Sequence, residues 1–355
     1  VNKALDYFNM SADKGNTNAL VHLANIYLKG LLVEQNFEKA KEYYKRSAKL
    51  GYTEVYNGVG VLYLRGFGRE KNYKKELKYF EKSANQNNSN GYYRLGFMHI
   101  HGFGVNRDYK KALEYFDKTY QKGNLNGLVQ IGNIYLNGLG VDKNYEKVKE
   151  YYEMAEQKND TNAMIGLGFL YLLGKGVEKS YSKAKEYFEK ASKKHNKSSY
   201  IYLGNLYKNG YGVEKNYSKT KEYYEKVANC NSATGKCFLA ELYDYSVERD
   251  LNKAFYFFQE AAKTYHSKSL IWLGKCCLNG HGVEKNSKKA IECCKIAADK
   301  DDPNALNELG IIYLEGAEGI EKNYNNSKKY FLKSAESNIS DSFYYLGKMY
   351  YEGIG

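Results

Sequence analysis

Between Val1 and Lys14 the residues Ala4, Tyr7, Phe8, Ser11 and Ala12 fall three and four apart, with polar residues between them, which predicts one amphipathic helix. The same kind of face returns along the whole chain inside a longer period. It is seen most cleanly in SSYIYLGNLYKNGYGVEKNYSKTKEYYEKVANCN, starting at Ser198, where two helical patterns flank a glycine turn. Aligned on the Leu-Gly pair of that stretch, Gly60, Gly96, Gly132, Gly168 and Gly204 fall at intervals of 36, and Ala240, Gly274, Gly310 and Gly347 continue the series with small slips. Three residues after the small residue stands a tyrosine, at Tyr27, Tyr63, Tyr135, Tyr171, Tyr207, Tyr243, Tyr313 and Tyr350, with His99 and Cys277 filling the gaps. A fixed period of this size predicts a repeat architecture, because one helix pair cannot bury its own apolar face and neighbours must stack to make a core.

Each unit reads as helix A, a glycine turn, helix B and a short connector. In the first whole copy helix A is predicted from about Asn18 to Lys29 and helix B from about Asn36 to Lys49. The Gly-x-Gly turn, with Gly66 and Gly68 and then GFGV at Gly102, GLGV at Gly138, GKGV at Gly174, GYGV at Gly210 and GHGV at Gly280, is expected to stop helix A. Glycine there adopts positive φ without a Cβ penalty. Asn72, Asp108, Asn144, Ser180, Asn216 and Asp250 stand where an N-cap would start helix B. The paired aromatics of helix B, Tyr43 with Tyr44, Tyr115 with Phe116 and Tyr187 with Phe188, are expected core, and the small residues such as Ala40 and Ala48 permit close helix packing.

The predicted fold is therefore all-α, a right-handed α-α superhelical solenoid of nine full helix pairs in one array over residues 1–355. Half-repeats at 1–15 and 339–355 flank repeats starting near 16, 52, 88, 124, 160, 196, 232, 266 and 302, and the cut repeat at each end marks the chain as part of a longer protein. Two units depart from the pattern. The seventh replaces the glycine turn by DYSVERD, Asp244 to Asp250, and loses two residues; near Gly316 the turn gains one, as GAEGI. The single proline, Pro303, follows Asp302 and fits the first turn of a helix A.

Small-x-x-x-Leu-Gly-x-x-Tyr-x-x-Gly-x-Gly-Val, then Asn-Tyr-x-Lys-Ala, then Tyr-Tyr or Tyr-Phe, resembles the Sel1-like repeat, a relative of the tetratricopeptide repeat. The period of 36 and the Gly-x-Gly-Val insertion favour Sel1 over the 34-residue tetratricopeptide unit. The resemblance covers the whole chain. It implies a non-catalytic adaptor or scaffold with protein or peptide partners, of the kind found in ubiquitin-ligase and endoplasmic-reticulum-associated degradation complexes, cell-wall synthesis regulation and signalling.

The formal charge of +13 at first suggests nucleic acid, but almost all of it is lysine; Arg46, Arg65, Arg69, Arg94, Arg107 and Arg249 are the only arginines. Phosphate and base recognition recruits clustered arginine, so a solvated lysine face is the stronger reading and nucleic acid is not the expected partner. No run of eighteen apolar residues is present, and no membrane span is predicted. The Gly-x-Gly turns follow helices rather than strands, so they are not nucleotide loops, and no Walker lysine loop, GxSxG or HExxH occurs. No cofactor, catalytic residue, small-molecule substrate or metal ligand is assigned. His99 and His101 are two apart and do not share a helix face.

All six cysteines lie between Cys230 and Cys294. Cys276 and Cys277 end one helix A, and Cys293 and Cys294 lie on the following helix B, so an antiparallel pair could gather them with His281 around zinc or into a disulfide. The stronger reading makes them buried apolar residues, since Cys277 occupies the tyrosine column and Cys293 with Cys294 the aromatic pair. Secreted bacterial members of the resembling family place a disulfide in each repeat. The departure argues for a reducing compartment, the cytoplasm. Seven NxS or NxT sequons, at Asn9, Asn87, Asn159, Asn196, Asn216, Asn325 and Asn338, leave the endoplasmic reticulum lumen open.

Comparison among the repeats separates packing from recognition: constant columns are demanded by the fold, and variable ones are available. The position before the leucine, the residue after the small column and the last residue before the turn share one face of helix A. Tyr202, Asn205, Asn209, Phe238, Glu241, Tyr245, Trp272 and Lys275 fall on it where its aromatics concentrate. Related solenoids line their concave side with helix A, so these eight residues are the candidate partner-binding stripe, with exposed aromatics as anchors. Two other readings compete: a cysteine-rich hydrolase or metal-binding protein centred on residues 276–294, and a basic surface for RNA or an anionic membrane.

Overall fold

A computed structural model of the chain describes residues 2–30, 33–52, 55–56, 58–59, 73–245 and 249–354. Among these are nineteen α-helices and no strand. Two compact units divide the chain at residues 187 and 188, inside the helix Tyr181–Lys193. In the first unit the A helices are Thr17–Lys29, Ser89–His101, Asn126–Asn137 and Thr161–Leu173; the B helices are Asn2–Asp13, Phe37–Lys49, Tyr73–Asn85, Tyr109–Gln121 and Tyr145–Glu156. In the second unit the A helices are Lys197–Asn209, Ala233–Tyr245, Ser267–Asn279, Pro303–Glu315 and Ser340–Tyr351, alternating with B helices Tyr217–Ala228, Leu251–Ala262, Ser287–Ala298 and Tyr324–Ala335. Within each unit packing runs from one helix to the next in sequence, from Asn2–Asp13 through Thr17–Lys29 to Phe37–Lys49, from Tyr73–Asn85 to Thr161–Leu173, and from Lys197–Asn209 to Ser340–Tyr351, the pattern of a helix-pair solenoid. In the second unit Ala233–Tyr245 also touches Ser267–Asn279, which touches Pro303–Glu315, so these three A helices form a continuous face.

The local signals read from the sequence are the ones that set the helix ends. Asp108, Asn144, Asn216 and Asp250 each accept a hydrogen bond from the backbone N–H three residues on, as do Asn36, Asn286 and Asn323. Ser180 caps through its hydroxyl, at 3.3 Å from the Lys183 nitrogen. Asn72, Gly60, Tyr63, Gly66 and Gly68 lie outside the described residues. The first glycine of the turn closes helix A in the left-handed region, with φ 73° at Gly210. The second has a further reason: a methyl group on Gly140 would lie 2.5 Å from the Tyr109 Cβ, at the start of the preceding helix B. One short turn thus ends a helix and fixes its distance from the previous repeat. The longer GAEGI turn closes differently, with paired backbone hydrogen bonds between Ala317 and Ile320.

Two aromatic columns build the core. The second aromatic of helix B is fully buried in Phe116, Tyr224, Phe258 and Phe331, and lies against the glycine column of its own helix A, where a Cβ on Gly204 would meet the Tyr224 ring at 2.5 Å. The first aromatic stacks on the tyrosine column, as in Tyr27 with Tyr43, Tyr207 with Tyr223 and Tyr243 with Phe257. The lysine of Asn-Tyr-x-Lys then covers the same tyrosine: Lys39 on Tyr27, Lys147 on Tyr135 and Lys219 on Tyr207, each ammonium within 5.1 Å of the ring centroid. These lysines are cation–π partners within the repeat and not simply a solvated face.

A covariation between columns follows from burial. Where helix B carries a buried tyrosine, the residue after the glycine column is asparagine, and its Oδ1 accepts from the phenol: Tyr44 to Asn25 at 2.8 Å, Tyr152 to Asn133 at 2.6 Å and Tyr224 to Asn205 at 2.6 Å. Where helix B carries phenylalanine the asparagine is absent: the paired residue is apolar in Phe116 with Phe97 and Phe331 with Ile311, and at Phe258 it is Glu241, which turns to Lys268 instead. Replacing Tyr224 by phenylalanine is expected to cost about 1 kcal/mol by stranding the half-buried amide. The Tyr224→Phe, Asn205→Leu double variant should recover part of that loss in a double-mutant cycle of denaturant melts.

Candidate functional site

The eight stripe residues lie on three successive A helices of the second unit, Lys197–Asn209, Ala233–Tyr245 and Ser267–Asn279. The expectation of exposed aromatics holds only for Tyr245, which keeps 64% of its surface. Tyr202, Phe238 and Trp272 are half-buried, each packed on the buried aromatic of the preceding helix B: Tyr202 on Phe188 at 5.2 Å, Phe238 on Tyr224 at 5.4 Å and Trp272 on Phe258 at 5.7 Å. An offset of fourteen residues sets this ladder, joining one helix pair to the next. Each ring therefore has one face committed to the core. The Tyr245 ring meets Trp272 edge-on, 5.7 Å between centroids at 77°.

The polar members are also engaged. Asn205 holds the Tyr224 hydroxyl, and Asn209, exposed, returns one amide N–H to the Asn205 carbonyl. Glu241 is buried and pairs at 2.5 Å with Lys268 of the next helix A, while Lys275 pairs at 2.7 Å with Glu308 of the one after. Lys268 and Lys275 lie over the Phe238 and Trp272 rings at 5.0 and 5.2 Å. Sequence reasoning missed Lys268, Glu308 and Asp244. Asp244, 4% exposed, stands where most other repeats carry leucine, and faces Arg249 and His281 at 3.8 Å each. Tyr245 feels this setting: partial burial, then Asp244 and Glu241, raise its hydroxyl pKa, and Arg249 opposes them.

The Sel1 repeat model matches residues 1–16, 17–52, 53–88, 89–124, 126–160, 161–196, 197–232, 234–263, 267–302, 303–339 and 341–355. The chain belongs to the Sel1 repeat family. Among curated Sel1 relatives, the chitin synthase regulator SKT5 of Saccharomyces cerevisiae is 31% identical over 108 residues, 29% of this chain and 16% of that protein. The ERAD-associated E3 ubiquitin-protein ligase component HRD3B of Arabidopsis thaliana is 35% identical over 77 residues, 19% of this chain and 13% of that one. The matched stretches thus span less than a fifth of these relatives. Among solved structures, the protective antigen c5321 of uropathogenic Escherichia coli, with an SLR fold, aligns over 99% of this chain and 75% of its own at 29% identity and TM-score 0.54. A Sel1 repeat protein of Oxalobacter formigenes aligns over 60% and 85% at 29% identity and TM-score 0.53.

In the Sel1 framework the cysteines take core positions. Cys237, Cys276, Cys277, Cys293 and Cys294 are buried and Cys230 is exposed; all six are free thiols. Burial pushes the Cys276 and Cys294 thiols up to about 12 and Cys293 up to about 11, so they are protonated at neutral pH and poor nucleophiles. Native titration with an aromatic disulfide reagent is expected to give one fast equivalent, Cys230, and five that react only on unfolding. Among the described residues no group of three or more histidine, cysteine, aspartate or glutamate side chains is placed to hold a metal ion, and no helix is long and apolar enough to cross a membrane. The sequons also have backbone reasons: Asn87, Asn159 and Asn338 supply the positive φ of the connector, and Asn196 and Asn216 are N-caps.

Proposed function

We propose that this Sel1 array is a non-catalytic scaffold that binds a protein or peptide partner along the helix A face of residues 188–355. The observation that carries the reading is the exposed Tyr245 ring set edge-on against Trp272, which itself stacks on buried Phe258. An exposed tyrosine packed on a half-buried tryptophan, with exposed amides at Asn209 and Asn279 ending the other two A helices, has the make-up of an interface anchor. The regulatory and ligase-component names of the Sel1 relatives support a scaffold in general and leave the partner open. Against the cysteine hydrolase reading stand the protonated, buried thiols. Against the nucleic-acid reading stands the engagement of the repeat lysines Lys39, Lys147 and Lys219 with tyrosine rings.

The test is affinity capture from the source cells, comparing the unaltered chain with an Asn209→Ala, Tyr245→Ala, Asn279→Ala variant. These three side chains are exposed, so the fold is retained. A Tyr256→Ala variant, altering an exposed tyrosine on helix B, serves as control. Partner capture lost with the first variant and kept with the second supports the helix A face; the reverse pattern rejects it.

A further inference from the structure

Three of the ion pairs made by the A helices of the seventh to ninth repeats are built the same way round, whereas Lys236 and its partner Glu260 are buried about equally. The Asp244 side chain is 5% exposed and that of Arg249 is 54%; Glu241 is 12% and Lys268 is 50%; Glu308 is 19% and Lys275 is 36%. In each of these three the carboxylate is the more buried partner and the cation the more exposed one. Such pairs are neutral when counted, but an approaching ligand meets the nearer, exposed charge first, so this face presents positive potential. The Tyr245–Trp272 pair belongs to the same A helices, with the Lys275 ammonium 5.2 Å from the indole centroid.

Resting on the helix A reading above, we propose that this face recognises an acidic segment of a partner protein: an aromatic or aliphatic anchor flanked by aspartate or glutamate. The anchor lies against Tyr245 and the open edge of Trp272, and the flanking carboxylates approach Lys268, Lys275 and Arg249. Those cations need not leave their buried partners. Each lysine ammonium carries three N–H donors, of which the internal carboxylate uses one or two. Charge matching also selects between the two anionic macromolecules. A single-stranded nucleic acid brings a phosphate at every nucleotide and gains affinity from uncompensated cations, whereas these three are each half-neutralised from beneath. A short acidic peptide with an apolar anchor needs only a moderate field and a hydrophobic seat.

Trp272 is the single tryptophan of the chain, so its emission reports on this seat alone. The probe is a blocked nine-residue peptide with a central phenylalanine and four acidic residues on each side, titrated onto the full chain. The same peptide with lysine in place of every acid, and a ten-nucleotide oligouridine, are the comparisons. The acidic peptide is expected to change Trp272 emission saturably, at least about tenfold more tightly than the lysine version, and to weaken as salt rises. Lys268→Gln should weaken it several-fold without changing helicity, and Tyr245→Ala should remove the response. Equal binding of both peptides, tighter binding of the lysine peptide, an emission change with oligouridine alone, or none with any probe overturns the assignment. If partner capture still depends on Tyr245 in any of these cases, the helix A face stands and only its acidic ligand falls. Capture indifferent to Tyr245 removes both.

Discussion

Phe258→Ala is expected to destabilise the second unit by about 3–5 kcal/mol. Phe258 is fully buried on helix Leu251–Ala262, and its ring is the platform on which Trp272 stacks at 5.7 Å and 7°. Its removal loses the transfer free energy of a benzyl group and leaves a cavity between two repeats. Collapse of that cavity is opposed by the indole, which is also held by contacts to Tyr245 and Lys275. In the eighth repeat the equivalent residue is the small Cys294, and the position that would stack on it is Glu308, not an aromatic. The chain thus shows that a small residue in this column is accommodated when its neighbour changes too, a compensation the single variant lacks. For a unit of this size the loss corresponds to a fall in Tm of about 10 °C, read by circular dichroism. Trp272 emission should shift to the red as the indole gains water. An unchanged Tm would mean that the ladder of helix A rings on helix B rings contributes nothing to joining repeats.

Gly235→Ala is the second substitution with a large expected effect, and here intrinsic propensity and packing disagree in sign. In a helix interior alanine is favoured over glycine by about 1 kcal/mol. At Gly235, however, an added methyl group would lie 2.6 Å from the Ala228 nitrogen and 2.7 Å from the Val227 carbonyl carbon. Both are backbone atoms of the preceding helix B and cannot rotate away. Ala163 and Ala305 occupy the same column elsewhere, so it is the closer approach of these two helices, not the column, that excludes alanine. Overpacking should win, for a net loss of about 1–3 kcal/mol, measured by chemical denaturation. A stabilised variant would show that Ala233–Tyr245 sits further from Tyr217–Ala228 than the structure places it.

The fold was legible in the sequence because its signals are local. Positive φ at Gly210, N-caps at Asn144 and Asn216, and proline at the first turn of Pro303–Glu315 each act within a few residues and repeat at a fixed interval. The candidate surface was less legible because its chemistry crosses from one repeat to the next. Nothing near Glu241 in sequence announces Lys268, and the aspartate in a leucine column at position 244 is meaningful only beside His281 and Arg249. The half-burial of Tyr202, Phe238 and Trp272 depends on the preceding helix B in the same way. Asn205 is different. Its tie to Tyr224 was visible as a correlation with Asn25 and Tyr44 and with Asn133 and Tyr152, and reading columns singly concealed it.

In the second unit the seventh repeat gives up its Gly-x-Gly turn, and Asp244 and Tyr245 at the end of its helix A meet His281 and Trp272 of the next repeat. Tyr245 ends its helix where most units carry a Gly-x-Gly turn, and the exposed ring there is set by the fixed Trp272 behind it. The most direct test of the helix A face is hydrogen exchange of the full chain with and without a captured partner. Protection is expected on Lys197–Asn209, Ala233–Tyr245 and Ser267–Asn279, with Tyr217–Ala228 and Leu251–Ala262 unchanged. Protection confined to those two B helices, with the three A helices unaltered, would contradict the account.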